Sequence, residues 1–143
     1  MELEALYQLV EDLDISVCEG SFPYSKCLAI VDDKGDCAIA IDPSQFDTRK
    51  EEKVALAHDL GHCITGSFYT RDTPHDLRVR YENRATKKAV FMLIPFDMLI
   101  DAIESPWNSI YDLAEHFGVS EDFMRNAVKI YEPALRKAYQ NKI

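Results

Sequence analysis

The segment EEKVALAHDLGHCITG, residues 51–66, determines how the rest of the chain is interpreted. Ahead of it, Asp47 or Thr48 can cap a helix, because a short polar side chain there accepts hydrogen bonds from free backbone N–H groups. Gly66 is typical of a helix end, since glycine tolerates the left-handed conformation that closes many helices. The segment therefore predicts a helix over about residues 48–65.

Two histidines, His58 and His62, lie one helical turn apart in this predicted helix. That spacing stacks both imidazoles on one face, which is the geometry needed to give two nitrogens to one zinc ion. The segment fits the H-E-x-x-H zinc-binding pattern, except that Asp59 takes the place of the glutamate. Gly61 costs about 1 kcal/mol relative to alanine inside a helix. It is easier to understand if another backbone or a ligand approaches there.

A third ligand from elsewhere in the chain would leave an open coordination position, as catalytic zinc sites do. The candidate is Glu82. It shares one face of a helix predicted over about residues 79–93 with Ala85 and Ala89, at positions i, i+3 and i+7. Two small residues behind the carboxylate would let this helix lie close against the histidine helix and bring Glu82 to the metal.

Alternatives to this third ligand stay open at the level of sequence. Glu82 can instead serve only the helix N-terminus, where a carboxylate interacts favourably with the helix dipole. His75 and Asp76 compete as ligands from a loop predicted over residues 66–77. For an oxyanion-stabilising donor the sequence offers four candidates, with no preference among them: Tyr69, Tyr81, Arg78 and Arg80.

The remaining segments predict a mostly helical α+β fold. Residues 2–15 carry apolar side chains at helical spacing opposite carboxylates, which indicates an amphipathic helix. Residues 27–42 form two β-rich runs around the turn at 33–35, which indicates a small antiparallel β-hairpin. A short helix over about residues 95–105 and two C-terminal helices complete the prediction.

The C-terminal segment LAEHFGVSEDFMRNAVKIY, residues 113–131, has the pattern of a helix-turn-helix. Ala114 allows a close helix crossing and Gly118 makes the turn. The residues available for DNA contact would be Arg125, Asn126 and Lys129. Glu121 and Asp122 begin the same face and would repel phosphates. We therefore favour a packing role over DNA contact and expect no direct nucleic-acid binding.

The composition is that of a soluble globular protein with an acidic balance. The net charge of −9 argues against nonspecific nucleic-acid binding as the main task, because such binding requires neutralised phosphates. One local basic patch, interpreted as a solvated face or as a surface for an acidic partner, comprises Arg71, Arg78, Arg80, Arg84, Lys87 and Lys88. No run approaches the roughly 18 apolar residues of a membrane span. The N-terminus lacks a secretory pattern, so we expect a cytoplasmic protein without membrane contact.

The four cysteines, Cys18, Cys27, Cys37 and Cys63, lack the paired short spacing of a zinc ribbon. Cys27 and Cys37 can face each other across the predicted hairpin, but the cytosol keeps such thiols reduced. We expect all four to be packing residues.

Residues 51–95 resemble the ImmA/IrrE family of metallopeptidases. That family shows a histidine–glutamate–x–glycine–histidine helix, a downstream helix with a glutamate ahead of an alanine-rich stretch, and a Leu-x-Pro-like ending. The matching positions are His58, Gly61 and His62, then Glu82 with Ala85, then Leu93-Ile94-Pro95.

This resemblance implies both a structure and a role. The structure is a zincin-like α+β domain over residues 1–104, followed by a C-terminal helical extension over 105–143 packed on it. One Zn²⁺ would be ligated by His58, His62 and Glu82. The role is to cleave or inactivate a protein partner, a helix-turn-helix transcriptional repressor encoded by a phage, mobile element or stress-response locus.

One position departs from the family pattern. The family's general base is the glutamate of the motif, and Asp59 stands there as the candidate catalytic residue. Aspartate is one methylene shorter, and a general base must lie within about 2.6–3.2 Å of the proton it takes, or act through one water. Two hypotheses follow: a metallopeptidase whose chemistry is slowed, and a catalytically inert zinc-containing module that binds its partner.

A rival interpretation concerns the same residues. The stretch AHDLGH also resembles the His-Asp doublet of HD-domain phosphohydrolases. That all-helical fold requires another histidine well upstream. His58 is the first histidine of this chain, and the residues ahead of it predict a β-hairpin. We therefore favour the metallopeptidase.

Overall fold

The computed structural model describes residues 1–140, which form helices around a small sheet. In chain order the elements are α1 (Leu3–Asp12), β1 (Ser16–Glu19), β2 (Cys27–Val31), β3 (Cys37–Ile41), a 3-10 turn (Pro43–Gln45), α2 (Arg49–Thr65), α3 (His75–Leu93), α4 (Phe96–Ile103), α5 (Ile110–Phe117) and α6 (Glu121–Gln140). The prediction of a mostly helical α+β fold is confirmed.

The three strands form one mixed sheet in the order β1-β3-β2. The predicted hairpin is confirmed, because β2 pairs antiparallel with β3, with Cys27 opposite Ile41 and Val31 opposite Cys37. The sequence did not predict β1, which pairs parallel with β3. Most residues of β1 are exposed, so its short pattern lacks the alternation that marks a strand with one buried face. The order leaves β2 at an edge of the sheet.

The prediction for the cysteines is wrong for two of them. Cys37, at the start of β3, forms a disulfide with Cys63, near the end of α2, and their Cα atoms are 5.8 Å apart. Because α2 packs across the hairpin, residues distant in sequence become neighbours. Cys27 lies at the opposite end of the hairpin from Cys37, so these two do not pair. Cys18 and Cys27 are free thiols.

Both ends of α2 are fixed by the residues that the sequence indicated. The Thr48 hydroxyl accepts a hydrogen bond from the backbone N–H of Glu51 at 3.1 Å. Gly66 closes the helix in the left-handed region, with φ of 67°. These caps set the length and rotational position of α2, and therefore where His58 and His62 point.

The helices α2 and α3 approach each other most closely at Gly61. A Cβ at this position would overlap the carbonyl oxygen of Ala85 and would lie 3.1 Å from its carbonyl carbon. Ala85 and Ala89 are both fully buried. The expected close approach of the two helices is confirmed, and it brings Glu82 beside the histidine face of α2.

The start of α3 differs from the prediction. The helix begins at His75, preceded by Pro74, about four residues earlier than expected. Its first two turns are mostly exposed, so they add little apolar periodicity for a sequence pattern to detect. His75 and Asp76 therefore belong to a helix and not to a loop. Glu82 lies about two turns inside α3, too far from its N-terminus for the alternative role in stabilising the helix dipole.

The C-terminal helices pack against the first part of the chain. Lys53 of α2 is 5% exposed, and its Nζ donates a hydrogen bond to the carbonyl of Phe117, the last residue of α5, at 2.8 Å. The Tyr131 hydroxyl on α6 donates to the carbonyl of Ile94 at 2.7 Å. One apolar cluster includes residues from α1 through α6. The division at residue 104 stays a prediction.

Within residues 1–140, no helix has the length and apolar content that crossing a bilayer requires.

Candidate metal centre

Three side chains from two helices converge beside the crossing of α2 and α3. His58 Nε2 lies 2.7 Å from Glu82 Oε2, and His62 Nε2 lies 3.2 Å from Glu82 Oε1. The ligand atoms of the three residues all lie within 4.8 Å of one another. The structure therefore brings together the three metal ligands that the sequence predicted.

The far side of each imidazole has its own polar partner. His62 Nδ1 lies 2.6 Å from the carbonyl oxygen of Ser67, a fully buried residue. A carbonyl only accepts, so His62 Nδ1 carries the proton and donates it. His58 Nδ1 lies 3.2 Å from the hydroxyl of Thr86. Such outer contacts orient the rings of metal-binding histidines and fix which nitrogen faces the metal.

The donor set fits a divalent zinc ion, and the contact between His62 and Glu82 supports this. With its proton on Nδ1, His62 has its Nε2 facing a carboxylate oxygen of Glu82, 3.2 Å away. Two acceptors that face each other repel unless a proton or a cation lies between them. Two imidazole nitrogens and one carboxylate match the three protein ligands of many catalytic zinc sites, which keep a fourth position open. His58, His62 and Glu82 would hold the ion.

Glu82 also accepts a hydrogen bond from Tyr69, whose hydroxyl lies 2.6 Å from Oε1. Burial alone would raise the pKa of Glu82, but the hydrogen bonds from Tyr69 and His58 outweigh it and hold the pKa below its ordinary value. The carboxylate is therefore kept ionised and ready for a cation. Of the four oxyanion donors considered from the sequence, Tyr69 is the one with a direct contact to a predicted ligand.

Asp59 lies next to the three predicted ligands and is not one of them. It is 8% exposed and lines the same cleft as His58 and Glu82. Burial raises the pKa of the Asp59 carboxyl above its ordinary value, and a hydrogen bond with the Cys27 thiol and the two histidines offset this only in part. The position suits a proton carrier beside a metal, and the assignment of Asp59 as the catalytic residue stays a prediction.

A cleft of about 650 Å³ opens next to the metal centre. One wall consists of residues 25–28, the start of the edge strand β2. Other lining residues come from the start of α6 and include Phe123 and Asn126. His58, Asp59 and Glu82 line the same cleft. The cleft therefore connects two of the predicted metal ligands with the start of β2 and the start of α6.

The helix-turn-helix-like segment thus contributes to the cleft. Of the residues considered for DNA contact, Asn126 lines the cleft. Arg125 is engaged in ion pairs with Glu121 at 3.1 Å and Asp122 at 3.0 Å on its own helix. The segment's role in binding a partner stays a prediction.

The sequence did not indicate Ser67 or Thr86, the polar partners of the two histidines. Thr86 lies at i+4 from Glu82 on α3, so helical spacing could have indicated it. Ser67 acts through its backbone carbonyl, which no side-chain pattern can reveal. The competing ligands His75 and Asp76 are not in the cluster that the described residues form around His58 and His62.

Comparison with known proteins agrees with this geometry. No curated protein and no solved structure gives a significant match to the chain. The sequence does match the IrrE N-terminal-like domain, a metallopeptidase family, over residues 10–129. The matched region contains the sheet, both metal-site helices and the first part of α6, which covers most of the chain. This protein therefore belongs to the IrrE N-terminal-like family of metallopeptidases.

Proposed function

We propose that the protein is a zinc-dependent endopeptidase that cuts a protein partner, a helix-turn-helix transcriptional repressor. One observation supports the peptidase part most: His58, His62 and Glu82 converge beside a buried carboxylate at the mouth of an open cleft. The choice of a repressor rests on the resemblance to the ImmA/IrrE family.

The chemistry divides among four side chains. Zn²⁺, when bound, supplies a Lewis acid that lowers the pKa of water and polarises the carbonyl of the scissile bond. His58, His62 and Glu82 would hold the ion. Asp59 accepts a proton from the attacking water at its carboxylate and passes it to the leaving amine. Its raised pKa makes it a stronger base than an exposed aspartate.

A second candidate function is favoured by the short side chain at position 59. Aspartate ends one methylene earlier than the glutamate of the family pattern, so a general base at this position has a shorter reach. Zinc binding does not require this carboxylate, since three other residues supply the ligands. The alternative is therefore an inert zinc-containing module that captures its partner without cutting it.

Digestion of a candidate repressor distinguishes the two functions. We expect zinc-loaded protein to release a fragment from a repressor encoded beside it, visible on a gel and abolished by a chelator. His62→Ala should abolish the fragment, because it removes a predicted zinc ligand. His116→Ala should leave it unchanged, since His116 is an exposed histidine on α5 that does not line the cleft.

Two other results have clear meanings. A stable complex without a fragment, detected by size-exclusion chromatography, would favour the inert module. Cleavage that persists in the His62→Ala protein would contradict a zinc-dependent mechanism.

A further inference from the structure

We propose that a second pocket beside the metal centre is a subsite for a carboxylate group of the substrate, with Arg78 as the residue that binds it. This pocket, called the α3 pocket below, has a volume of about 430 Å³. Its lining residues are Tyr69, His75, Arg78, Val79, Glu82 and Asn83. The proposal rests on the proposed peptidase function, because it names a group that the substrate must carry.

Arg78 has a buried hydrogen-bond donor without an acceptor in the described part of the chain. The Nε of Arg78 is buried, and it has no hydrogen-bond partner among the described residues. Arg78 also forms no ion pair within residues 1–140, although other arginines such as Arg125 and Arg136 do. A buried N–H without a partner is costly, particularly on a charged group. Arg78 lines the α3 pocket and its positive charge has no ion-pair partner within residues 1–140, so the pocket favours an anionic ligand.

Arg78 lies one helical turn from the predicted metal ligand Glu82. Arg78 and Glu82 are four residues apart on α3, so their side chains lie on one face of the helix. Both line the α3 pocket, and Glu82 also lines the main cleft. One helical turn rises about 5.4 Å, which corresponds to roughly two residues of extended chain. The carboxylate would therefore belong to a residue one or two positions from the scissile bond.

The main cleft and the α3 pocket differ in the charge of their lining residues. Besides the site residues Asp59 and Glu82, the main cleft has three charged lining residues: Lys26, Glu51 and Asp122. Lys26 is paired with Glu51 at 3.0 Å, so it is not free to bind an anion. The α3 pocket contains Arg78, and its one carboxylate, Glu82, is a predicted metal ligand. A negatively charged substrate group is therefore favoured on the α3 side alone, which would fix the direction of the bound chain.

The chemistry of the group follows from the donors. A guanidinium donates two parallel hydrogen bonds to a carboxylate in a fixed planar geometry. The side-chain amide of Asn83, exposed at the same pocket, offers a further donor. The carboxylate can come from an aspartate or glutamate side chain, or from the free C-terminus of a peptide.

Three matched zinc-chelating ligands test the proposal. Each is a dipeptide whose N-terminus is acylated with a hydroxamate-bearing group, which anchors at the metal and leaves the C-terminus available. The first has a glutamate side chain and an amidated C-terminus, the second a glutamine side chain and a free C-terminus, and the third a glutamine side chain and an amidated C-terminus. Isothermal titration calorimetry on the zinc-loaded protein measures each Kd, which makes the test independent of turnover.

We expect one of the two carboxylate ligands to bind about tenfold tighter than the neutral one, in line with a hydrogen-bonded charge pair. Tighter binding of the first ligand assigns the group to an acidic side chain, and tighter binding of the second assigns it to the C-terminus. Equal binding of all three would overturn the subsite while leaving the metal centre intact. If none of the three binds, the metal centre fails and the subsite fails with it.

Two variants make the assignment to Arg78 specific. Arg78→Gln should remove the advantage of the carboxylate ligand and leave the Kd of the neutral ligand unchanged, which also shows that the variant is folded. Arg80→Gln removes the same charge from an exposed position of α3 outside the pocket, and it should preserve the advantage. An equal loss in both variants would overturn the proposal, because it would indicate a diffuse electrostatic effect.

Discussion

At the scale of single residues, the metal centre depends on how each side chain is held by a partner that is not a ligand. The Ser67 carbonyl fixes the proton of His62 on Nδ1, and the Thr86 hydroxyl contacts Nδ1 of His58. Tyr69 holds Glu82. Preorganised ligands lose less conformational entropy when they bind an ion. The two proposed functions differ in whether the side chain of Asp59, one methylene shorter than glutamate, acts as the general base.

Lengthening Asp59 is therefore an informative substitution. We expect Asp59→Glu to raise the rate of repressor cleavage by about tenfold or more, because general-base catalysis is worth about 10²–10⁴-fold when the geometry is right. Zinc content should not change. The measurement is the initial rate of fragment formation, with Asp101→Glu on the exposed face of α4 as the control. Equal rates would mean that the site has adapted to the shorter carboxylate.

At the scale of elements, the contact of α2 with α3 builds the site. Gly61 lets the backbone of α3 approach α2 at Ala85, and three residues earlier on α3 stands Glu82. The intrinsic helix preference at position 61 would favour alanine by about 1 kcal/mol. The crossing of two helices outweighs that preference, since a side chain there would collide with a backbone carbonyl that cannot rotate away.

Replacing this glycine tests the crossing. We expect Gly61→Ala to lower the free energy of unfolding by about 1–2 kcal/mol, because overpacking outweighs the gain in helix propensity. Zinc affinity should fall with it, since Glu82 would move away from the histidines. Urea denaturation and a zinc competition titration measure the two effects. Gly20→Ala is the control, because its Cβ would meet only the Phe22 side chain at an ordinary 3.6 Å. Unchanged stability in Gly61→Ala would contradict the packing described for the two helices.

At the scale of the whole molecule, one apolar cluster joins the helices before and after the metal centre. The sheet edge and the start of α6 both line the cleft, so the site draws on segments that are distant in sequence. The disulfide between Cys37 and Cys63 ties the sheet to α2 one residue after His62. A ligand that joins α2 to α3 should consequently stabilise the whole fold.

Zinc should therefore raise the melting temperature. A ligand at about a thousand times its Kd adds roughly 4 kcal/mol to the stability of the native state, which corresponds to an increase on the order of 10 °C for a domain of this size. Differential scanning calorimetry with and without zinc measures the shift, and metal analysis should find close to one zinc per chain. The His62→Ala protein should show no comparable shift. A wild-type protein that is purified without zinc and takes up none would contradict the metal centre.

Features that depend on neighbours within a few residues could be predicted from the sequence. The caps at Thr48 and Gly66 and the one-turn spacing of His58 and His62 are local properties of one helix. The hairpin of β2 and β3 is equally local, because its turn lies between the two strands. Glu82 could be predicted because Ala85 and Ala89 share its helix face, and their small side chains indicate the close approach of another helix.

Features that join distant segments could be found only in the tertiary structure. The strand β1, the pairing of Cys37 with Cys63 and the Ser67 carbonyl behind His62 have no short-range signal. The same holds for the cleft between β2 and α6, since no pattern within either element specifies the other. Local periodicity reports which face of an element is apolar. Which other element covers that face follows from the packing of the whole chain into one core.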